Sequence, residues 1–291
     1  MNHLLQESRI ISEIDHLLTF VRDGEAAAEK FRQLGFTLSP VSQIESMGIV
    51  NQMVLFKDAP FGSANFIELM SVSDSARLPS VMGRLLSGEE RIKSMVLSTQ
   101  DAQICHAHLT SIGLPFAPPV HIRRAWALGD GTSVFPEFDV ILPADAGLTF
   151  NACRYYNADL YIRADWTTHA NTVTGLEAVI CVADEPVELA HRFSRILDAP
   201  IIQAGPALRV APGRMALEIW PSHAVANRFG ATRPEHTSVS FLGYRLQAAD
   251  LRIAAQFAHG AGVSMIESEC GFLLSPDAMF GNIVEVVTAD E

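Results

Sequence analysis

One structural unit recurs four times along this chain of 291 residues, and this repeat constrains the fold more than any other feature. Each copy has an apolar strand, a turn ending in an acidic residue, an amphipathic helix, a small-residue stop and further strand patterns. The copies begin at Ile14, Ile92, Gly175 and Ser240. Starts that lie roughly 65–85 residues apart indicate repeated supersecondary modules rather than one long irregular domain.

The first copy illustrates why the unit predicts the element order βαβββ. In the run IDHLLTFV, the two-residue period of a strand places Ile14, His16 and Leu18 on one face. Asp23 is predicted to cap the following helix, because its carboxylate can accept hydrogen bonds from free backbone N–H groups. Gly35 is predicted to end that helix, since glycine tolerates a left-handed backbone. Two further strand patterns, IVNQMVLFKD and ANFIELMSV, complete the unit.

A single module would leave its edge strands unpaired, so we expect the modules to associate in pairs. The predicted fold class is therefore α+β, with four βαβββ modules paired into two open barrels of curved sheet. The first lobe is predicted to span residues 1–156 and the second lobe residues 157–291. Paired curved sheets form a concave mouth, in which a small ligand would bind.

The composition excludes several classes of protein. Hydrophobic residues make up 48% of the chain and charged residues 19%, which is typical of an ordered globular protein. The net charge of −12, with no basic run, argues against a nucleic-acid partner, because such affinity depends on clustered lysine and arginine.

The predicted location is the cytoplasm. Four widely spaced cysteines indicate free thiols in a reducing compartment. The N-terminal segment lacks the basic region of a signal peptide, and no apolar run is long enough to span a bilayer. We therefore expect a small-molecule partner and no membrane, and the high apolar fraction is compatible with a homodimer.

The combination DHLLTFV … LGF … FIELM resembles the vicinal oxygen chelate superfamily, in particular its glyoxalase-like members. The resemblance implies βαβββ modules paired into open barrels. In metal-using relatives, the first strand of a module supplies a histidine and its last strand supplies a glutamate. The matching residues here are His16 and Glu68, which the resemblance implies as ligands of a zinc, iron, manganese or nickel ion. His169, just before the third module, is a further predicted ligand that would reach the first lobe.

The surroundings of Glu68 make it the stronger clue. Phe66 and Met70 flank it on the same strand face, and a carboxylate among apolar side chains is costly unless it is paired or binds a cation. The alternatives stay open at this stage. Glu68 would instead face solvent or pair with an arginine, His16 would be a core histidine, and His169 a loop histidine without a role at the site.

The second module departs from the metal-binding pattern. Its corresponding positions fall at Ser94 and Asn151, and neither side chain is a strong ligand for a transition metal. Asn151, Cys153 and Tyr155 share one face of the last strand. We expect Asn151 to contact the substrate. Tyr155 and Glu68 are the predicted catalytic residues for proton transfer, the alternative being that the Tyr155 ring only lines the pocket.

Arginines of the second module are candidates for binding an anionic group. Arg123, Arg124 and Arg154 come from its strands, and of these Arg123 and Arg154 are the predicted substrate-binding residues. A guanidinium group presents a fork of donors that matches a carboxylate or an enolate. The alternative, which is equally open, is that these arginines form ion pairs with acidic residues of the chain instead of binding a ligand.

Two functions follow from these residues. The first is a metal-dependent enzyme of the glyoxalase-like type, a lyase, isomerase or dioxygenase, whose divalent ion chelates a small oxygen-rich molecule as a Lewis acid. The second is a metal-free protein of the same fold that binds or sequesters a small molecule. The couple formed by His16 and Glu68 favours the enzyme, whereas Ser94 and Asn151 favour the binding protein.

Overall fold

The computed structural model describes residues 9–143, 150–230 and 239–289. It confirms the predicted α+β class, with two mixed β-sheets and short helices. The first sheet contains β1 (Glu13–Phe20), β2 (Ser42–Ile44), β3 (Ile49–Leu55), β4 (Phe66–Val72), β5 (Arg91–Ser98), β6 (Val120–Arg123), β7 (Trp126–Ala127), β8 (Ser133–Val134), β9 (Glu137–Ile141) and β10 (Phe150–Tyr155). The second contains β11 (Val173–Ala183), β12 (Ile201–Ala204), β13 (Ala207–Val210), β14 (Ala216–Pro221), β15 (Val239–Ala248), β16 (Met265–Ser268), β17 (Gly271–Leu274) and β18 (Ile283–Thr288).

The first sheet joins two modules through their first strands. Its order is β6-β9-β10-β5-β1-β4-β3-β2-β7-β8. In each module the first strand runs parallel to the last, as β1 does to β4 and β5 to β10, while β1 and β5 pair antiparallel. The short strand β7 of the second module pairs with β2 of the first, at Trp126 and Ser42, so the sheet curls toward closure.

The second sheet repeats this arrangement. Its order is β12-β13-β14-β11-β15-β18-β17-β16. The parallel pairs are β11 with β14 and β15 with β18, and the two modules meet where β11 and β15 pair antiparallel. The repeat read from the sequence therefore corresponds to modules that pair within each sheet.

The helices of the first, second and fourth modules begin after acidic cap residues. Asp23 accepts hydrogen bonds from the backbone N–H groups of Glu25 and Ala26, and Asp101 and Asp250 cap the helices of the second and fourth modules in the same way. The helices are α1 (Gly24–Gln33), α2 (Ser80–Leu85), α3 (Ala102–Ser111), α4 (Ala164–Thr167), α5 (Pro186–Leu197), α6 (Ser222–Phe229) and α7 (Leu251–Gly260). Among the described residues, no helix is long and apolar enough to cross a membrane.

A single large hydrophobic core joins the two sheets. It contains one face of each sheet and the buried sides of α1, α3, α5 and α7. Phe150 of β10 and Phe193 of α5 meet within this core, with ring centroids 5.8 Å apart. The opposite faces of the sheets line separate, smaller clusters. Because the core is shared, the division into lobes 1–156 and 157–291 stays a prediction.

Candidate functional site

The concave face of the first sheet encloses a cavity of about 70 Å³, called the site cavity below. Strands from both modules line it, and Met82 and Leu85 of α2 contribute to its wall. Most of the remaining lining is aliphatic or aromatic. The polar lining residues include a connected group, called the polar cluster, which consists of His16, Glu68, Arg124, Tyr155 and Tyr161.

A β-bulge in β1 builds the first part of the polar cluster. Ile14 and His16 pair with consecutive residues of β5, so Asp15 is the extra residue of the bulge. The bulge changes the predicted strand faces, because Ile14 packs in the shared core while His16 lines the site cavity. Asp15 is thereby brought beside the histidine ring, with 2.6 Å between its Oδ1 and Nδ1 of His16.

Asp15 orients His16. Its carboxylate is fully buried and also accepts hydrogen bonds from the Tyr155 hydroxyl and from the backbone N–H of Ala64, both at 2.7 Å. Because a carboxylate only accepts hydrogen bonds, Nδ1 of His16 carries the proton. Nε2 is left on the side of Glu68, 3.7 Å from its Oε2. His16 therefore has the geometry of a general base held by a buried acid.

Glu68 lies inside the cavity rather than at the surface. Its side chain is 7% exposed, and its Oε1 accepts a hydrogen bond of 2.5 Å from the Asn51 side-chain amide. The Nη1 atom of Arg124 lies 3.7 Å from the same oxygen. The alternative that Glu68 faces solvent is therefore excluded. The alternative that it pairs with an arginine agrees with the position of Arg124.

Arg124 follows β6 and its guanidinium is buried against aromatic rings. Nη2 donates to the Tyr161 hydroxyl at 3.0 Å and lies 3.6 Å from the sulfur of Met53. The ring centroids of Trp126 and Phe138 are 5.5 and 5.1 Å from its Cζ. Burial disfavours the charge, but Tyr161 and the neighbouring carboxylate outweigh it and raise the pKa of Arg124 above its ordinary value. The group is a cation.

Tyr155, Cys153 and Asn151 all line the site cavity, as the two-residue period predicts. Burial, and then the charge of Asp15, raises the pKa values of Tyr155 and Cys153 well above their ordinary values, so both are neutral at pH 7. Tyr155 thus donates to Asp15 as a phenol. The Oδ1 of Asn151 accepts a hydrogen bond of 2.6 Å from the Ser94 hydroxyl. These two residues stand at the positions of the second module that correspond to His16 and Glu68 in the first.

Three predicted site residues lie outside the cavity lining. Arg123 is exposed and stacks on the ring of Phe135, and Arg154 donates from Nε to the carbonyl of Gln100. His169 is buried elsewhere, and both of its ring nitrogens are occupied by backbone groups. Burial lowers the pKa of His169 to about 4, which keeps it neutral. The structure does not bring these three residues to the polar cluster.

The polar cluster fits a divalent metal ion poorly. Within residues 9–143, 150–230 and 239–289, no group of three or more His, Cys, Asp or Glu side chains converges in a way that could hold one. In the site cavity only Nε2 of His16 and Oε2 of Glu68 face each other, because Asp15 bonds to Nδ1. Protein sites for transition metals supply three or four ligands. The nearby positive charge of Arg124 further opposes a cation.

The corresponding face of the second sheet is occupied by ion pairs. Glu218 and Glu285 stand at the positions of β14 and β18 that correspond to Glu68 in β4. Arg245 donates to both oxygens of Glu218, at 2.6 and 3.1 Å, and to Oε2 of Glu285 at 2.8 Å. Arg228 also pairs with Glu285. Arginine side chains therefore neutralise these two carboxylates.

Asp15 and Tyr161 are site residues that the sequence did not reveal, and Arg124 was not singled out from its neighbours. The adjacent acid and histidine in the motif DH are a signal for Asp15, but strict alternation puts them on opposite faces. Arg124 and Tyr161 lie outside the strands, where periodicity gives no direction. Their convergence depends on the path of the connecting segments.

Residues 14–197 of this chain match the sequence profile of a protein family described as the glyoxalase-like domain. No curated protein matches significantly in sequence. Among solved structures, a hypothetical protein from Staphylococcus aureus is 10% identical with a TM-score of 0.63, over 94% of this chain and 98% of that one. The Mn(II)-bound glyoxalase from Novosphingobium aromaticivorans is 11% identical with a TM-score of 0.55, over 96% and 83%. A mutant of 4-hydroxymandelate synthase from Streptomyces coelicolor is 12% identical with a TM-score of 0.51, over 96% and 94%.

Proposed function

The chain belongs to the glyoxalase-like domain family. We propose that it catalyses proton transfer to and from a small, largely apolar substrate bound in the site cavity. The reaction class is that of an isomerase or lyase. The observation that carries the proposal is the pair formed by Asp15 and His16.

A histidine hydrogen-bonded through Nδ1 to a buried carboxylate is a competent general base at its other nitrogen. Nε2 of His16 has this arrangement and belongs to a cavity-lining residue that is only 5% exposed. When Nε2 accepts a proton, the resulting imidazolium lies between the carboxylates of Asp15 and Glu68, which stabilise its charge. Glu68 is in turn held by the amide of Asn51.

The cavity itself indicates the kind of substrate. Its walls are mostly apolar, as is typical of sites that bind small molecules. Methionines at positions 47, 70 and 82 supply flexible, polarizable contacts that suit an aromatic or aliphatic body. We therefore infer a ligand with an apolar body and one oxygen-bearing group that reaches the polar cluster.

The divalent ion implied by the resemblance is not part of this proposal, because the donor set does not fit it. Metal analysis of protein purified without a chelator or an affinity tag is the direct check. We expect less than stoichiometric zinc, iron, manganese or nickel. Stoichiometric metal that is lost in His16→Ala and Glu68→Ala would instead support the metal-dependent enzyme.

Proton transfer is tested by hydrogen–deuterium exchange at the carbons beside the carbonyl of benzylacetone, a neutral aliphatic ketone that carries a phenyl ring, followed by NMR in D2O. We expect the protein to accelerate exchange above the buffer rate and His16→Gln to abolish the acceleration. His191→Gln is the matched control, because His191 is exposed on α5. Exchange that persists in His16→Gln, or that is lost equally in His191→Gln, contradicts the proposal.

A second candidate is a binding protein that sequesters its ligand without turnover. The hydrogen bond between Ser94 and Asn151 favours it, because those positions lack the second couple expected of a metal-using enzyme. Saturable binding of benzylacetone without accelerated exchange would support this candidate over the enzyme.

A further inference from the structure

We propose that Arg124 binds the carbonyl oxygen of a neutral ligand and takes the electrophilic role that a divalent ion would otherwise fill. The inference rests on the proposed function and names the substrate class for the same cavity: apolar ketones and related neutral carbonyl compounds. It assigns ligand recognition to a buried arginine rather than to Arg123 and Arg154, which lie outside the cavity lining.

The position of Arg124 suits this role. Its side chain is 4% exposed, and the residue lines the site cavity. Rings of Trp126 and Phe138 and the hydroxyl of Tyr161 hold the guanidinium, so its direction is set before a ligand arrives. A preorganised donor in a water-poor cavity stabilises developing charge more effectively than one that must reorient.

The donors of Arg124 are incompletely used. A guanidinium carries five N–H groups. Within the described part of the chain, Nε has no hydrogen-bond partner, although the atom is buried. Nη1 lies 3.7 Å from Oε1 of Glu68, which is longer than a hydrogen bond. A buried cation whose donors lack acceptors is costly, so a ligand oxygen that accepts a hydrogen bond from Nη1 would gain free energy.

The charges of the polar cluster favour a neutral ligand. Asp15 and Glu68 are two carboxylates, and within the polar cluster Arg124 is the cation beside them, because His16 must be neutral to act as the base. A carboxylate on the ligand would add a third negative charge to a buried site, which is unfavourable. A carbonyl oxygen accepts the same hydrogen bonds without adding a charge before the reaction begins.

The positions of His16 and Arg124 account for both the proton and the electron pair of the proposed transfer. His16 Nε2 and Arg124 Nη1 each lie 3.7 Å from Glu68, on its two different oxygens. The C–H bond beside the carbonyl breaks, its proton forms an N–H bond at Nε2, and the electron pair moves to the carbonyl oxygen. Arg124 stabilises that enolate oxygen while His16 becomes an imidazolium. The net charge of the cluster and ligand together does not change.

The test compares three ligands of matched shape by titration calorimetry. They are benzylacetone, hydrocinnamate as its carboxylate analogue and isopentylbenzene as its hydrocarbon analogue. The wild type should bind the ketone about tenfold more tightly than the hydrocarbon, a difference of about 1.4 kcal/mol, because the ketone oxygen accepts a hydrogen bond from a charged group. Hydrocinnamate should bind most weakly of the three.

Two substitutions assign this preference to Arg124. Arg124→Met should bind ketone and hydrocarbon equally, and Arg123→Met, the matched control at the exposed neighbour, should retain the wild-type preference. Arg124→Lys keeps a positive charge beside Glu68 and should fold even if the methionine variant does not. It should reduce the preference for the ketone several-fold, because a lysine lacks the fork of donors. Circular dichroism confirms that each variant is folded.

The outcomes separate this inference from the proposed function. A wild type that binds hydrocinnamate most tightly, an Arg124→Met that keeps the ketone preference, or a wild type that binds none of the three ligands would overturn the role of Arg124. Hydrogen–deuterium exchange that is lost in His16→Gln but kept in Arg124→Met would support the proposed function and refute the role of Arg124. A ketone preference that depends on Arg124, without accelerated exchange, would support this inference and refute proton transfer.

Discussion

Glu13 makes the stability of this protein depend on pH. It is the first residue of β1 and is 1% exposed. Its carboxylate accepts backbone hydrogen bonds from Arg214 at 2.7 Å and Met215 at 3.1 Å, just before β14, and so links the two sheets. Gly213 packs tightly there, because an added Cβ would lie 2.3 Å from Oε2 of Glu13 and 2.8 Å from the carbonyl oxygen of Ser12.

Burial raises the pKa of Glu13 from 4.5 to about 7, although its backbone hydrogen bonds act in the opposite direction. The folded protein therefore binds this proton more tightly than the unfolded chain. The stabilising contribution is fully present below pH 4.5 and is lost as pH rises through about 7. The difference between the two pKa values corresponds to about 3 kcal/mol in the free energy of unfolding.

Urea unfolding of the wild type and of Glu13→Gln between pH 4.5 and pH 8 measures this contribution. Glutamine has a similar shape and does not titrate, so the wild type should lose about 3 kcal/mol relative to the variant across that range. All other titrating groups are common to both proteins and cancel in the comparison. Glu29→Gln, a change at an exposed carboxylate of α1, is the control and should follow the wild type. Parallel pH profiles for the wild type and Glu13→Gln would refute the reasoning.

Three further predictions concern buried polar groups, each measured by urea unfolding. Asp15→Asn should lower the free energy of unfolding by about 2–4 kcal/mol, because three donors lose a charged acceptor; an unchanged value would contradict the assigned hydrogen bonds. The wild type should lose stability relative to His169→Gln as pH falls from 6.5 toward about 4, because His169 takes up a proton in the unfolded chain but stays neutral in the folded protein. Equal acid sensitivity of the two proteins would argue against this. Arg245→Met should cost about 3–5 kcal/mol by leaving Glu218 and Glu285 without their shared donor, and a neutral effect would show that the pairing is dispensable.

Much of the fold could be predicted from local patterns in the sequence. The acidic caps Asp23, Asp101 and Asp250 and the glycine at position 35 mark helix ends through hydrogen bonds and backbone angles that involve only neighbouring residues. The period of two on the last strands correctly assigns Glu68 and Tyr155 to a cavity-facing side. These properties are local, so they are readable without knowledge of the fold.

The predicted roles of the site residues depend on contacts between distant segments, and there the sequence was less informative. His16 and Glu68 do lie side by side, but the positive charge next to them belongs to Arg124, which the predicted set of arginines did not favour. His169 carries no sequence signal that distinguishes a cavity ligand from a histidine bonded to backbone. Which neighbour a loop side chain meets is decided by the path of the chain.

The repeated module and the α+β class are readable from the sequence, because period and capping are properties of short segments. The chemistry of the cavity depends instead on contacts that form only in the folded chain. The bulge at Asp15 overrides strict alternation and joins an acid to His16, since a single extra residue in β1 shifts its register against β5. Folding then brings Arg124 to Glu68, across 56 positions of sequence, where a metal ion was expected.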